Sequence, residues 1–239
     1  MEIPILFENK EVVVVNKPTG LMVHSDGRNN DYTLVSWVLE KYPEIENVGE
    51  EMKLQSGEVI KRPGIVHRLD KETSGVLIIA KTQDSFLNLK KQFQEREIKK
   101  VYNTFVYGGF KEEDGVIDRP IGKSKKDFRI WSAQRGARGL MREAVTEYRV
   151  VKQFIFDGET YSFVEVYPKT GRTHQIRVHM KAINHPIVCD SLYSPKRACL
   201  LGFSRLSLHS KSIEFSLLKG EKLKIEAELP EDFKKALNF

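Results

Sequence analysis

A carboxylate and a neighbouring cation stand together in the polar stretch 67–75 (HRLDKETSG). Asp70 could serve as a nucleophile or a general base, and Arg68 places positive charge close by. The short polar side chains of Thr73 and Ser74 can hydrogen-bond nearby backbone, so we predict a structured turn rather than a slack loop. A purely structural turn aspartate has the same pattern, and on turn chemistry alone that is the more common case.

A second group with chemical potential lies in residues 169–179 (KTGRTHQIRVH). Gly171 permits a tight turn into a helix N-terminus, which favours anions. His174 and Arg177 are three residues apart and share a helix face, so Arg177 could orient a carboxylate from elsewhere and keep it ionised. An anion-binding helix start without catalysis fits the composition equally well.

The strongest electrostatic feature is the basic window, residues 119–142, with a net charge of +7. Such a cluster favours binding to a polyanion, and Phe128 and Trp131 could stack on unpaired bases. A solvated loop whose charge aids solubility is the alternative, but clustered cations among glycines favour the nucleic-acid role. The candidate RNA contacts within the window are Lys125, Lys126 and Arg129.

Other chemistries lack their motifs. The six histidines show no His-Glu-x-x-His spacing, and no cysteine pair completes a zinc set, so no metal site is predicted. No glycine-rich phosphate loop is present, so a nucleotide cofactor is unsupported.

Cys189 and Cys199 are too few for a disulfide scaffold and are expected to be reduced. The N-terminus has no signal-peptide pattern and the early apolar runs are short, so we expect a cytoplasmic protein that does not span a membrane.

The chemical groups require rigid elements to position them. Five consecutive apolar residues, 76–80, predict a buried strand directly after the Asp70 turn. Alternation over residues 98–107 predicts a strand that carries Tyr102, and Thr173 is predicted to cap a helix to about residue 183. The remaining predicted elements are strands at 11–16 and 21–24, helices at 32–42, 82–97 and from Pro230, a loop or short hairpin at 43–63, and hairpins at 144–167 and 212–229.

These elements predict an α+β fold with a largely antiparallel sheet, because the strands are mostly linked as hairpins. No linker, repeat or low-complexity segment interrupts residues 1–239, so a single domain is expected.

Several segments together resemble the RluA family of RNA pseudouridine synthases. They are NKPTGL at 16–21, HRLDKETSG at 67–75, KVY at 100–102, GRTHQIRVH at 171–179, HPI at 185–187 and LH at 208–209. The resemblance implies one pseudouridine-synthase-like catalytic domain, with a mixed, largely antiparallel sheet flanked by helices and a central RNA-binding cleft. It also implies an isomerase that converts uridine to pseudouridine without a cofactor. The small S4-type RNA-binding domain of some members is not expected, and Cys189 stands where a glycine is more usual.

The resemblance also implies roles for individual residues. Asp70 corresponds to the attacking aspartate, Tyr102 to the tyrosine that packs on the target base, and Arg177 to the arginine paired with the aspartate. Arg68 corresponds to the arginine associated with opening the RNA stack. The further RNA-binding candidates are His67, Lys100, Arg172 and His174.

Two other classes of function remain as alternatives. A catalytically silent RNA-binding module would use the basic window alone. A metal- or nucleotide-dependent RNA enzyme is disfavoured, because its ligand motifs are missing. Ribosomal and transfer RNA are both open as substrates, no obligate protein partner is indicated, and a monomer is expected.

Overall fold

The computed structural model describes residues 1–25, 31–53, 59–125, 127, 130–133 and 137–239. The chain divides into two compact units. Unit 1 comprises Met1–Lys99 with Ser212–Ala227, and unit 2 comprises Lys100–Lys211 with Glu228–Phe239. The expectation of a single domain stays a prediction, because compactness does not tell whether each unit folds independently.

The elements of the described residues are as follows in chain order. The strands are β1 (Ile5–Glu8), β2 (Val12–Lys17), β3 (Met52–Lys53), β4 (Val59–Ile60), β5 (Ser74–Ala80), β6 (Lys99–Tyr107), β7 (Asp114–Asp118), β8 (Ile121–Lys123), β9 (Trp131–Ser132), β10 (Arg138–Arg142), β11 (Val145–Phe156), β12 (Glu159–Pro168), β13 (Leu208–Ser216) and β14 (Lys222–Glu226). The α-helices are α1 (Leu34–Lys41), α2 (Gln83–Gln94), α3 (Gln175–Ala182) and α4 (Glu231–Ala236), and a 3-10 turn spans Pro43–Ile45.

Unit 1 is built around β5, every residue of which is buried. It pairs antiparallel with β2, and β2 in turn pairs with β1. The continuous apolar runs of β2 and β5 therefore lie side by side. The capping box of Thr82 and Ser85 starts α2, as predicted for Thr82. Phe86 and Leu89 of that helix pack on the side chains of β2 and β5. The strand after the Asp70 turn is therefore held rigidly by burial on its faces.

Unit 2 contains an antiparallel arrangement in the order β6–β12–β11–β7. The β11–β12 hairpin turns at Asp157 and Gly158, both with positive φ, as the Asp-Gly signal predicted. Phe233 of α4 is fully buried in an aromatic cluster around Phe105. A separate set of strands, β10–β8–β9, is formed by the basic window.

The architecture confirms the predicted α+β class with a largely antiparallel sheet flanked by helices. The predicted strand over 21–24 is wrong, because only Met22 forms an isolated bridge, to Thr33. The backbone N–H groups of Leu34 and Val35 bond to carbonyls of this segment, so it serves the start of α1 instead. In the described part of the chain no helix is both long and apolar enough to cross a membrane.

Candidate active site

Lys17, at the end of β2, is completely buried and holds the loop that contains Asp70. Its ammonium donates to the carbonyl oxygens of Pro18 at 2.8 Å, Leu21 at 2.9 Å and Lys71 at 3.2 Å. A buried charge is tolerated only where such hydrogen bonds replace water. Lys17 therefore ties the turn after β2 to the residue that follows Asp70.

Two further hydrogen bonds join the same segments. The N–H of Gly20 donates to the carbonyl of Lys71 at 2.9 Å, and the Thr19 hydroxyl donates to that of Glu72 at 2.8 Å. Gly20 has φ of +80°, a conformation that glycine adopts without strain. The NKPTGL and HRLDKETSG segments are thus joined by hydrogen bonds to the backbone carbonyls of Lys71 and Glu72.

Asp70 itself lies four residues before β5 and is partly exposed. The N–H of Thr73 donates to its carbonyl at 3.1 Å, which closes the predicted turn, while Leu69 beside it is buried. The predicted position of Asp70, in a structured turn at the head of a core strand, is confirmed.

The residues before Asp70 run along β5. The N–H of Ile78 donates to Nε2 of His67 at 3.0 Å, and the His67 ring stacks on Phe93 with centroids 4.9 Å apart. These contacts of His67 are structural, and its predicted contact with RNA stays a prediction. Arg68 is exposed. Gly64 has φ of +68°, and a Cβ there would lie 2.4 Å from the carbonyl oxygen of Ala80, so only glycine permits this close approach.

Tyr102 and Lys100 lie two residues apart on β6, so their side chains leave the same face. Tyr102 is 8% exposed and pairs across the strands with Val166. Burial lowers the pKa of Lys100 to about 8, because removing an ammonium from water disfavours its charged form. Both residues belong to unit 2.

Arg177 makes a buried, two-pronged ion pair with Asp190, a residue that the sequence reasoning did not single out. Its Nε lies 2.8 Å from Oδ2 and its Nη2 lies 2.7 Å from Oδ1. Oδ1 also accepts the N–H groups of Leu192 and Tyr193, so the fully buried carboxylate is well satisfied. Asp190 therefore holds the guanidinium in one orientation. The predicted pairing of Arg177 with Asp70 stays a prediction.

Tyr193 is a second residue that the sequence reasoning missed, and it links α3 to the basic window. The Arg177 guanidinium carbon lies 5.0 Å from its ring centroid, a cation–π distance. The backbone N–H of Trp131 donates to the Tyr193 hydroxyl at 3.0 Å, and Nδ1 of His174 lies 3.0 Å from the same oxygen. Neither Asp190 nor Tyr193 belongs to a motif recognisable by its local spacing.

The predicted capping of α3 by Thr173 is wrong. The helix begins at Gln175, and His174 precedes it in the left-handed conformation with φ of +55° and no side-chain cap. Instead, the Gln175 side chain closes the turn, accepting from the Thr170 hydroxyl at 2.6 Å and from the Arg172 N–H at 3.0 Å. Helix capping rules did not anticipate this role for Gln175, because the bond runs from the first helical residue back to the loop.

Two nearby basic residues have structural contacts. His179 is fully buried between the Thr146 hydroxyl at 2.8 Å and the Arg119 carbonyl at 2.9 Å. Burial lowers its pKa, which favours the neutral ring. Arg172 donates from Nε to the carbonyl of Glu143 at 2.9 Å. Its predicted contact with RNA remains a prediction.

The basic window is only partly covered by the described residues. Lys125 is exposed, and Nζ of Lys123 lies 4.4 Å from the centroid of the Trp131 ring. The predicted RNA contacts Lys126 and Arg129 lie outside the described residues.

The expectation that the cysteines are reduced is wrong for this structure. Cys189, next to Asp190, is joined by a disulfide to Cys199. Sequence spacing could not show this, because the two cysteines are ten positions apart and only the path of the loop brings them together. Among the described residues no group of three or more histidine, cysteine or acidic side chains is placed to hold a metal ion.

Comparison with known proteins gives consistent matches. The family model described as RNA pseudouridylate synthase matches residues 11–182. An uncharacterized RNA pseudouridine synthase, YlyB of Bacillus subtilis, is 36% identical over 97% of this chain and 71% of its own length. Ribosomal large subunit pseudouridine synthase D of Borreliella burgdorferi is 38% identical over 97% of this chain and 66% of its own length.

Solved structures match the fold. Human RNA pseudouridylate synthase domain containing 4 has a TM-score of 0.71 and 26% identity, covering 98% of this chain and 92% of that one. Human RNA pseudouridylate synthase domain containing 1 has a TM-score of 0.73 and 23% identity, covering 96% and 84%. The second similarity, at its low identity, concerns the fold alone.

Proposed function

The chain belongs to the RNA pseudouridylate synthase family and is an isomerase of that class, and we propose that it isomerises specific uridines in rRNA or tRNA with Asp70 as the catalytic carboxylate. No cofactor enters the proposal. We also propose that the protein acts in the cytoplasm.

The observation that carries the assignment of Asp70 is the way its loop is held. Buried Lys17, together with Gly20 and Thr19, bonds to the carbonyls of the two residues that follow Asp70, and β5 begins two residues later. The backbone is therefore fixed while the side chain stays partly exposed. A catalytic group needs this rigidity, because misplacement by a fraction of an ångström costs rate.

All the bonds that break and form in the reaction belong to one nucleotide. The bond between N1 of uracil and C1′ of the ribose breaks, the base rotates, and C5 bonds to C1′. The proton on C5 is lost and one returns to N1, so no oxidant or co-reactant is needed. An ionised Asp70 supports this either by attacking C1′ as a nucleophile or by removing a ribose proton on a glycal route.

Tyr102 and Arg177 complete the proposal. A buried aromatic ring on a rigid strand can stack on a base, which contributes about 1–3 kcal/mol. That offsets part of the few kcal/mol needed to flip a base out of a helix. Arg177, oriented by Asp190, supplies a fixed positive charge suited to an ionised carboxylate.

RNA binding is proposed for the exposed cations Arg68 and Lys125, together with Lys126 and Arg129, and for His67, Lys100, Arg172 and His174. The name of the Borreliella relative points to large-subunit ribosomal RNA for that protein. We extend this to the present chain as the favoured substrate, with tRNA as the alternative. Sequencing for lost pseudouridines in a deletion strain distinguishes the two.

The deciding experiment compares Asp70→Asn with the wild type, using tritium release from RNA labelled at C5 of uridine. The substitution keeps the size of the side chain and removes its charge, so we expect loss of at least 1,000-fold in rate with RNA affinity within about threefold. Activity near that of the wild type would overturn the assignment. If the wild type binds RNA but releases no tritium from any cellular RNA, the chain is a silent RNA-binding module instead.

A further inference from the structure

Two cysteines in unit 2 meet at the ends of a short loop. Cys189 and Cys199 are bonded, and their Cα atoms are 4.6 Å apart, within the range that a disulfide spans without moving the backbone. Cys199 is exposed and Cys189 is partly exposed. Small redox-active molecules can therefore reach the pair.

The backbone at Cys189 is unusual for a residue with a side chain. Its φ is +59°, in the left-handed region where a Cβ meets steric strain and glycine does not. A glycine at this position would relieve that strain. The Sγ atom of Cys189 is bonded at this point to that of Cys199.

A backbone carbonyl lies close enough to both sulfurs to accept a hydrogen bond from the reduced, dithiol form of the pair. The carbonyl oxygen of Phe203 lies 2.9 Å from Sγ of Cys199 and 3.6 Å from Sγ of Cys189. Either thiol can donate a hydrogen bond to that oxygen when the disulfide is reduced. The carbonyl oxygen of Phe203 therefore lies beside both sulfurs.

The loop between the two cysteines carries the residues that orient Arg177. Asp190 follows Cys189 directly and makes the two-pronged ion pair, and Tyr193 lies under the same guanidinium. The Tyr193 hydroxyl also contacts Trp131 and His174. A bond between the loop ends restricts the conformations open to this whole segment.

We propose that Cys189 and Cys199 form a reversible dithiol–disulfide site, and that the disulfide fastens the loop that holds Arg177. The oxidant is a low-molecular-weight disulfide of the glutathione type. The exposed Cys199 thiolate attacks it, forming a mixed disulfide and releasing one thiol. The Cys189 thiolate then attacks the Cys199 sulfur and releases the second, so two protein thiols and one disulfide give one protein disulfide and two small thiols. Any effect on pseudouridine formation rests on the proposed function.

The first test measures the redox site without reference to catalysis. The purified full chain is equilibrated in buffers of varied reduced-to-oxidised glutathione ratio, and free thiols are counted by maleimide labelling and intact mass. We expect both thiols to disappear together in one reversible transition, without a covalent dimer. The oxidised form should melt about 5–10 °C higher, from the closure of a loop with a sequence separation of 10.

The matched control is Cys189→Gly, which removes the thiol and the left-handed strain together. We expect it to fold, to form only a mixed disulfide at Cys199, and to melt at the same temperature in both buffers. Hydrogen exchange of residues 190–198 should slow on oxidation of the wild type and stay unchanged in the control. Cys199→Ser should form at most a mixed disulfide at Cys189 and should also melt at the same temperature in both buffers.

Catalysis provides the second readout. With Arg177 in its proposed role, kcat of the wild type should be several-fold higher in the oxidised form with KM little changed, and Cys189→Gly should show no redox dependence. Independent labelling of the two thiols, a disulfide that cannot be reduced, or equal hydrogen exchange in both states would overturn the redox site. An inactive enzyme with a normal thiol transition would instead count against the proposed function and leave the redox site standing.

Discussion

The buried pair Arg177–Asp190 offers a quantitative test of what holds the guanidinium. Replacing Asp190 with alanine removes both hydrogen bonds to Arg177 and the acceptor of two backbone N–H groups, in Leu192 and Tyr193. Removing one partner of a buried ion pair costs about 3–5 kcal/mol, because the other charge is left uncompensated. The low exposure of both side chains, 9% for Arg177 and 0% for Asp190, places the pair in this class. We therefore expect Asp190→Ala to lower the free energy of unfolding by about 3–5 kcal/mol.

Urea unfolding followed by fluorescence measures this change, and a double variant serves as the control. In Arg177→Met with Asp190→Asn neither charge of this pair remains, and an amide oxygen can still accept the N–H groups of Leu192 and Tyr193, so stability should recover to within about 1 kcal/mol of the wild type. The double variant should nevertheless be inactive, because the proposed cation is gone. A loss below about 1 kcal/mol in Asp190→Ala, or a double variant as unstable as the single one, would refute the view that Asp190 fixes Arg177 through a buried charge pair.

Three further predictions concern other buried or basic groups. Lys17→Met should destabilise the protein by about 2 kcal/mol or more in urea unfolding, since three carbonyls lose their donor; an unchanged midpoint would contradict this. Lys100→Met should stabilise the protein by up to about 3 kcal/mol at pH 7, because the pKa of Lys100 is lowered to about 8 and each unit corresponds to about 1.4 kcal/mol. In the unfolded chain this lysine has its ordinary pKa of 10.5, so the stability of the wild type should rise between pH 8 and 10.5. The stability advantage of Lys100→Met should shrink over the same range. A difference in stability that does not change with pH would argue against a buried charge. Neutralising Lys125, Lys126 and Arg129 should weaken RNA binding and reduce the slope of log affinity against log salt by about 0.7 per lost contact with single-stranded RNA, and an unchanged slope would exclude this surface.

Local patterns in the sequence were sufficient for most of the elements. The apolar run before Ala80 required a buried strand, the Thr82 cap marked the start of α2, and Asp157-Gly158 marked the β11–β12 turn. These succeed because each depends on interactions among residues close in sequence. The prediction over 21–24 failed because a run of only three apolar residues has no local feature that distinguishes a paired strand from an irregular segment.

In the candidate site, too, some features follow from local sequence and others depend on the tertiary structure. The sequence by itself determined the turn of Asp70, the strand of Tyr102 and the helix face of Arg177, since periodicity and turn chemistry are local properties. Only the tertiary structure decided what holds them, because the contacts join residues far apart in the chain: Lys17 to Lys71 across 54 positions and Trp131 to Tyr193 across 62. The Arg177–Asp190 pair and the Cys189–Cys199 bond likewise depend on the course of one loop, which no spacing rule specifies. Side chains that position a catalytic group are therefore visible only once folding has brought distant segments together.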